Sequence, residues 1–276
     1  MRILTMACLA AIAVGAQAQL IVGNDQTGSA TIWHVDVNTG AATALYTGST
    51  NEAKPWGMAY DNTSNTLYWN NGATLYSAQF NVGGITPTQV GTMQFNSATV
   101  NFVALAFRDG KLLGTRNIAT EAVYEIDTTS LVASQVYVHP TAFDYGGLEV
   151  DAANGKLYGL NDSTTAPGGR GLYEIDTVAG TDTWKAGYPA GETDIDGLAV
   201  HNGVAYYVTD GPNTTQANFY VYDIATGTQT GTLASPFTAG GTFSAATFVS
   251  DPIPEPTTMA VLGLGALAAL RRRRAR

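Results

Sequence analysis

The chain has 276 residues, of which 45% are hydrophobic and 13% charged, so its length and apolar content suit one folded body with a substantial core. Residues 19–251 contain 21 acidic and 7 basic side chains. Outside this span lie one acid, Glu255, and six arginines, which are Arg2 and five residues after position 270. A body this acidic repels phosphate backbones and disfavours nucleic acid as a partner, and the lone Cys8 argues against a cysteine-based metal site or a disulfide framework.

The first 18 residues have the pattern of a signal peptide. Arg2 supplies a positive charge, residues 3–14 are apolar, and Ala16-Gln17-Ala18 places small residues where signal peptidase cleaves. We therefore expect an exported protein whose mature chain starts at Gln19.

Residues 19–250 repeat one pattern: an apolar residue, an aromatic one, any residue, an apolar residue and an aspartate. It occurs four times, with a degenerate fifth copy at Leu75–Gln79; the four are Ile32–Asp36, Val123–Asp127, Leu172–Asp176 and Phe219–Asp223. Alternating apolar and polar residues bounded by Asn, Asp and Gly are typical of short strands and tight turns. The aromatic positions lie 43 to 49 residues apart, the spacing of a four-stranded blade, so the sequence predicts an all-β, five-bladed β-propeller.

The ends of this body suggest how the ring closes. Motifs rich in small residues mark the first strand of four blades: Gly57–Asp61, Ala104–Phe107, Gly147–Asp151 and Gly197–Val200. No such motif precedes Trp33, where the chain enters with Leu20–Asn24 in the position of a second strand. We expect Phe243–Val249 to complete the first blade from the other end of the body, which leaves no free sheet edge.

Three acids stand out as candidate ligands for a sugar or a cation. In a propeller, the loops after each second strand and before each first strand open on one face, the upper face. Asp144, Asp194 and Asp196 lie in loops before adjacent first strands, so their carboxylates should converge at the mouth of the central channel and repel one another. Such oxygens suit Ca²⁺, although the rest of an EF-hand loop is missing. By itself the sequence favours solvated turn acids and no cofactor over a Ca²⁺ site.

No catalytic motif is present. The chain lacks Gly-x-Ser-x-Gly, His-Glu-x-x-His and a phosphate-binding loop, so we expect a protein that is not an enzyme. The alternative is a secreted hydrolase that uses Asp144, Asp194 and Asp196 as acid and base on a polysaccharide. His34, His139 and His201 occupy different repeat positions, and each is expected to be a surface residue.

The repeats resemble those of bacterial surface propellers of the NHL and YVTN type. The likeness rests on Gly-Leu-Glu-Val-Asp at 147–151, Gly-Lys-Leu-Tyr at 155–158 and Leu-Tyr-Glu-Ile-Asp at 172–176. It implies the fold alone, since such propellers serve in ligand binding, lactone hydrolysis and scaffolding.

Residues 251–276 form a tail with three parts in a fixed order. Pro254-Glu255-Pro256 is followed by the apolar run Met259–Leu270 and then by Arg271, Arg272, Arg273 and Arg274. This order resembles the PEP-CTERM sorting signal of Gram-negative bacteria. The resemblance implies that the apolar run is a transient inner-membrane anchor, that the arginines act as a cytoplasmic stop, and that an exosortase reads Pro254-Glu255-Pro256. It further implies placement at the cell surface or outside it, often with exopolysaccharide, and we expect the propeller to be a binding or structural module there.

Overall fold

Five antiparallel sheets of four strands, together with one short hairpin, make up the part of the chain that the structure describes. The structure is a computed structural model and describes residues 19–140, 143–211 and 218–249. A single 3-10 turn, Asn51–Ala53, is its one helical element in these ranges. In chain order the strands are β1 (Gln19–Asn24), β2 (Ala30–Val35), β3 (Ala42–Gly48), β4 (Gly57–Asp61), β5 (Thr66–Asn71), β6 (Thr74–Gln79), β7 (Thr88–Thr92), β8 (Gln94–Phe95), β9 (Ala98–Thr99), β10 (Ala104–Arg108), β11 (Lys111–Thr115), β12 (Ala122–Ile126), β13 (Ala133–Val138), β14 (Tyr145–Asp151), β15 (Lys156–Asn161), β16 (Gly171–Asp176), β17 (Thr181–Gly187), β18 (Gly197–His201), β19 (Val204–Val208), β20 (Asn218–Asp223), β21 (Thr228–Ala234) and β22 (Ser244–Val249).

The five sheets are the blades of a closed ring. Blades 2 to 5 are β4–β7, β10–β13, β14–β17 and β18–β21, each with its strands paired in sequence order. The innermost strands touch in the order β4, β10, β14, β18, β22 and back to β4. The predicted all-β, five-bladed propeller is thereby confirmed.

Blade 1 is built from two distant parts of the chain. Its strand order is β22-β1-β2-β3, so β1 occupies the second position and β22 the innermost. All six residues of β1 pair with β22, from Gln19 opposite Val249 to Asn24 opposite Ser244. The ring is thus joined between residues 19–24 and 244–249.

Glycines let the innermost strands approach one another around the axis. A Cβ atom at Gly57 would lie 2.6 Å from the main-chain nitrogen of Leu105, and one at Gly147 would lie 2.5 Å from the carbonyl oxygen of Asp196. Real Cβ atoms do not come that close to backbone, so only glycine fits these positions. The space left on the axis, about 130 Å³, cannot admit a water-sized sphere. The channel is therefore closed between the two faces.

The aromatic residue of the repeat signature packs between neighbouring blades. Four of the five signature aromatics are buried: Tyr76, Tyr124, Tyr173 and Tyr220. Tyr124, for example, makes edge-to-face contacts with Phe95 and Phe102, with ring centroids 5.0 and 5.6 Å away. Burying a large apolar side chain contributes about 1.5–3 kcal/mol, which explains why the signature recurs once a blade.

The aspartate that ends the signature forms the turn that follows it. Asp36, Asp127 and Asp176 each accept hydrogen bonds from the main-chain N–H groups two and three residues ahead, at 2.8 to 3.1 Å. Asp223 accepts from the N–H of Thr226. These turns lie on the face opposite the upper face, which we call the lower face. Hydrogen bonds to the backbone lower the pKa of all four carboxyls.

The hairpin β8–β9 is an insertion between blades 2 and 3 that the sequence did not predict. Its turn residues, Asn96 and Ser97, have φ angles of 51° and 64°. Two consecutive positive φ angles match the right-handed twist of a hairpin, and Asn tolerates them well. Met93, immediately before the hairpin, is fully buried and anchors it.

The predicted signal peptide and sorting tail lie outside the described residues. The segments concerned are residues 1–18 and 251–276, including the predicted membrane anchor Met259–Leu270. Within the described ranges, no helix has the length and apolar character needed to cross a bilayer. The boundaries at residues 18 and 250 stay predictions.

Candidate functional site

Three aspartates from two blades meet on the upper face. Asp162 follows β15 in blade 4, and Asp194 and Asp196 lie in the loop before β18 in blade 5. One carboxylate oxygen from each lies within 4.8 Å of the others. We call these three residues the acid cluster. The structure brings the predicted Asp194 and Asp196 together, but the third member of the cluster is Asp162, whereas Asp144 lies outside this set.

A buried isoleucine positions the acid cluster. Ile195 is fully buried in the core between blades 4 and 5, and residues on either side of it in extended chain point the other way. Its main-chain N–H donates to Oδ1 of Asp162 at 3.3 Å. The hydroxyl of Tyr188 donates to the same oxygen at 2.6 Å and lies 3.1 Å from the carbonyl oxygen of Ile195. The loop before β18 and the carboxylate of Asp162 are thereby fixed to each other.

Asp196 is the most enclosed member of the cluster. Only 8% of its surface is exposed, and its carboxylate lies directly over Gly146, where any Cβ atom would collide with it. Among the described residues, no group donates a hydrogen bond to this carboxylate. A buried carboxylate without a donor is costly to keep ionised.

The pKa values on this face are shifted in the direction that burial and mutual repulsion dictate. Burial raises the pKa of Asp162 and Asp196 well above the ordinary range, and neighbouring carboxylates raise them further. Burial and then Asp194 raise the pKa of Asp144, and the same two causes raise that of Asp210 to about 6. Burial raises the pKa of Glu121, whose carboxyl accepts from the N–H of Tyr145, to about 9.

No basic side chain neutralises these acids within the described part of the chain. The ion pairs there join Lys111 to Glu125, Lys156 and Lys185 to Glu174, and His139 to Asp182. Arg170 lies close by but donates its Nε–H to the main-chain oxygen of Asp162. Lys54, which lies in the loop before β4 in blade 2, forms no ion pair with them.

Two asparagines at the ends of second strands on the upper face, Asn70 and Asn161, serve the fold. Asn70 accepts from the N–H of Gly57 at 3.1 Å and donates to the carbonyl of Phe102 at 2.7 Å. Asn161 accepts from the N–H of Asp144 and donates to the carbonyl of Gly169. Because their amides are used by neighbouring backbone, these residues are unavailable to a ligand.

A shallow depression of about 460 Å³ lies elsewhere on the upper face. The rings of Trp56 and Phe243 stand 4.4 Å apart along one wall, and Asn101 lies among the lining residues. Arg116 also lines it, and its guanidinium lies 5.7 Å from the ring centroid of Tyr124. We call this the aromatic depression. A second one, of about 540 Å³, adjoins it and contains Asp144 and Asp162.

His139 is not the surface residue that we expected. It is 2% exposed, and its Nδ1 lies 3.0 Å from Oδ1 of Asp182 in the outermost strand of blade 4. The hydroxyls of Tyr137 and Tyr145 donate to the same carboxylate at 2.6 and 3.0 Å. Burial, reinforced by Asp182, raises the pKa of both tyrosines. This network joins blades 3 and 4, and it is structural because the side chains of His139, Tyr145 and Asp182 are enclosed.

Comparison with protein families matches residues 252–274 to the PEP-CTERM protein-sorting motif. The chain carries a PEP-CTERM motif. The match spans Pro254, Glu255 and Pro256 and the arginines 271–274, so the predicted parts of the tail fall inside it. A PEP-CTERM motif marks an exported protein that is sorted by an exosortase and anchored in the membrane before processing.

Comparison of the PEP-CTERM protein with solved structures supports the propeller. A chain in the crystal structure of a nidogen/laminin complex aligns with a TM-score of 0.60 and 14% identity over 86% of this chain and all of that one. At that identity the likeness shows the fold alone, and proteins that share the propeller fold have many different functions. No curated protein gives a significant match.

Proposed function

We propose that the exosortase places this protein at the cell surface or in the surrounding exopolysaccharide of a Gram-negative bacterium, where the propeller binds a glycan without catalysing a reaction. The observation that carries the proposal is the aromatic depression. Trp56 and Phe243 offer a partly exposed apolar wall, beside an amide and a guanidinium. An apolar face next to a few polar groups is the usual composition of a small-ligand site, and it suits the apolar and hydroxyl-bearing faces of a sugar ring.

Arg116 adds a preference for acidic sugars. Its Nε has no hydrogen-bond partner among the described residues, and the side chain is half-buried between Phe95 and Tyr124. A guanidinium fixed in this way can bind a carboxylate or sulfate with little loss of conformational entropy. We therefore favour a uronic-acid or sulfated glycan over a neutral one.

A glycan array with the full-length chain in mild detergent tests this proposal. Trp56→Ala should weaken binding at least tenfold, because the apolar wall is lost. The matched control is Trp184→Ala, since Trp184 is 46% exposed on the outermost strand of blade 4, far from the depression. Arg116→Gln should lose acidic glycans selectively. Binding that survives Trp56→Ala, or a wild-type chain that binds no glycan, would contradict the proposal.

The same samples distinguish a binding module from a hydrolase. Incubation with each bound polysaccharide should release no reducing sugar. Release that is lost in Asp194→Asn and Asp196→Asn would instead establish the hydrolase that uses Asp144, Asp194 and Asp196.

The sorting step is tested in cells that contain the exosortase. Replacing Arg271–Arg274 by glutamine should let the short apolar run slip through the membrane, because so short a segment depends on its charged stop. Replacing Pro254, Glu255 and Pro256 by alanine should leave the precursor anchored and unprocessed. Fractionation with an antibody to the propeller measures both, and normal processing of the alanine variant would contradict recognition of these residues.

A further inference from the structure

We propose that Asp162, Asp194 and Asp196 bind a Ca²⁺ ion that joins blades 4 and 5 at the upper mouth of the closed channel. The first observation is the geometry of the acid cluster, whose three carboxylate oxygens lie within 4.8 Å of one another. Ca²⁺ binds oxygen at about 2.3–2.6 Å, so two of its ligands can be separated by at most about 5 Å. The three oxygens are therefore close enough together for one such ion to contact all of them after at most a small adjustment of the side chains.

The second observation is the state of Asp196. Its side chain is more than nine-tenths buried, and none of the described residues donates a hydrogen bond to it. Its carboxylate oxygen faces the other two acids instead of a donor. A carboxylate that stays ionised when buried is paired with a cation side chain, hydrogen-bonded or bound to a metal, and for Asp196 the first two arrangements are missing from the described chain. A cation at the centre of the cluster supplies the third.

The surroundings of Asp162 resemble the outer shell of a metal site. Tyr188 and the N–H of Ile195 both donate to its Oδ1, which fixes the orientation of the carboxylate. Metal-binding carboxylates are commonly held in this way by groups that do not touch the ion. Tyr188 is therefore a positioning residue for the site.

The donor set selects the type of ion. All three ligands are carboxylates, which favour hard cations over zinc or copper. Mg²⁺ needs oxygens at about 2.0–2.1 Å, so its opposite ligands stand at most about 4.2 Å apart, and it also requires near-octahedral order. Three acids on two separate loops suit the looser shell of Ca²⁺, with water completing it.

Titration of the full-length chain, stripped with EDTA and kept in mild detergent, tests the site with the metal alone. CaCl₂ at about 0.1–10 mM should raise the unfolding temperature by several degrees and give a saturable calorimetric signal, since an ion that binds the folded state stabilises it by mass action. MgCl₂ over the same range should do less. A wild-type chain that shows neither a thermal shift nor binding heat with CaCl₂ overturns the proposal.

Three substitutions and one control locate the ion. Asp194→Asn is decisive, because Asp194 is exposed and its loss should leave the fold intact; it should weaken Ca²⁺ binding at least tenfold. Asp162→Asn and Asp196→Asn should do the same where they fold. Asp144→Asn is the matched control, an acid nearby that lies outside the cluster, and should change the Kd less than threefold. Unchanged binding by Asp194→Asn, or an equal loss in Asp144→Asn, would overturn the assignment.

The Ca²⁺ site and the proposed glycan function are tested independently of each other. The titration contains no sugar, and the aromatic depression shares no residue with the acid cluster. Glycan binding without a calcium effect would refute only the site proposed here.

Discussion

The two faces of the propeller carry aspartates of opposite character. On the lower face, Asp36, Asp127, Asp176 and Asp223 each accept hydrogen bonds from their own turn, which lowers their pKa values. On the upper face, Asp144, Asp162, Asp196 and Asp210 lie near one another, and partial loss of hydration together with the neighbouring carboxylates raises their pKa values. The residue type is the same, and the difference comes from what each carboxylate faces.

The acids of the lower face stabilise the fold, whereas those of the upper face destabilise it. A turn aspartate is satisfied by N–H groups two or three residues away, so it would be formed in any single blade. The upper-face acids come from loops of blades 4 and 5 and meet only when these two blades pack against each other. Charge that the fold does not neutralise can be neutralised by a bound cation, as in the proposed Ca²⁺ site.

The largest effect should come from a lower-face acid that serves two blades. Both carboxylate oxygens of Asp151 are used: Oδ1 accepts from the N–H groups of Ala153 and Asn202 at 3.1 Å, and Oδ2 accepts from Gly203 and from the amide of Asn154 at 3.0 Å. Asp151→Ala removes a buried acceptor of four hydrogen bonds, two of them from blade 5, and should cost about 3–5 kcal/mol in the free energy of unfolding.

Denaturant unfolding measures this loss at Asp151. Asp151→Asn retains one acceptor and should lose an intermediate amount. A loss below about 1 kcal/mol for the alanine variant would show that the lower-face acids do not hold neighbouring blades together.

The next effect concerns the pH dependence of stability. Burial raises the pKa of Glu121 to about 9, and Asp144 and Asp162 add to the shift. Between about pH 4.5 and 9 the folded chain holds a proton on this group that the unfolded chain has released, so its contribution to stability is complete at low pH and declines as pH rises. The decline should be on the order of 1 kcal/mol per pH unit.

Glu121→Gln should remove this slope. The amide oxygen can still accept from the N–H of Tyr145, so the main contact at 2.8 Å is kept. Thermal unfolding from pH 5 to 9 should show the variant gaining on the wild type as pH rises. Parallel curves would mean that Glu121 is not a strained acid of the upper face.

The repeat signature was sufficient to predict the blades because each strand is specified locally, by alternation and by its own turn residues. It also placed Asp194 and Asp196 on one face, since both precede a first strand. Asp162 was missed as a member of the cluster, although it follows a second strand and so opens on the same face. The position of Asp162 after a second strand indicates that it lies on the upper face. Its distance to Asp194, however, depends on how blades 4 and 5 pack, which the sequence pattern does not give.

The burial of His139 could not be predicted for a similar reason. Its partner, Asp182, lies 43 residues later in the chain and on another blade. Pairs of this kind follow from the angle between neighbouring sheets, which alternation within one strand does not encode. The aromatic depression is likewise assembled from Trp56, Asn101 and Phe243, which belong to loops of three blades.

The most direct test compares one acid from each face under the same change. Asp176→Ala and Asp210→Ala are measured by thermal unfolding at pH 8 in EDTA. The first removes a carboxylate that accepts from Val178 and Ala179, whereas the second removes a half-buried carboxylate whose Oδ1 has no partner among the described residues. The unfolding temperature should fall for Asp176→Ala and rise for Asp210→Ala. A lower unfolding temperature for both variants would contradict the account, in which the acids of the lower face stabilise the fold and those of the upper face destabilise it unless a ligand is bound.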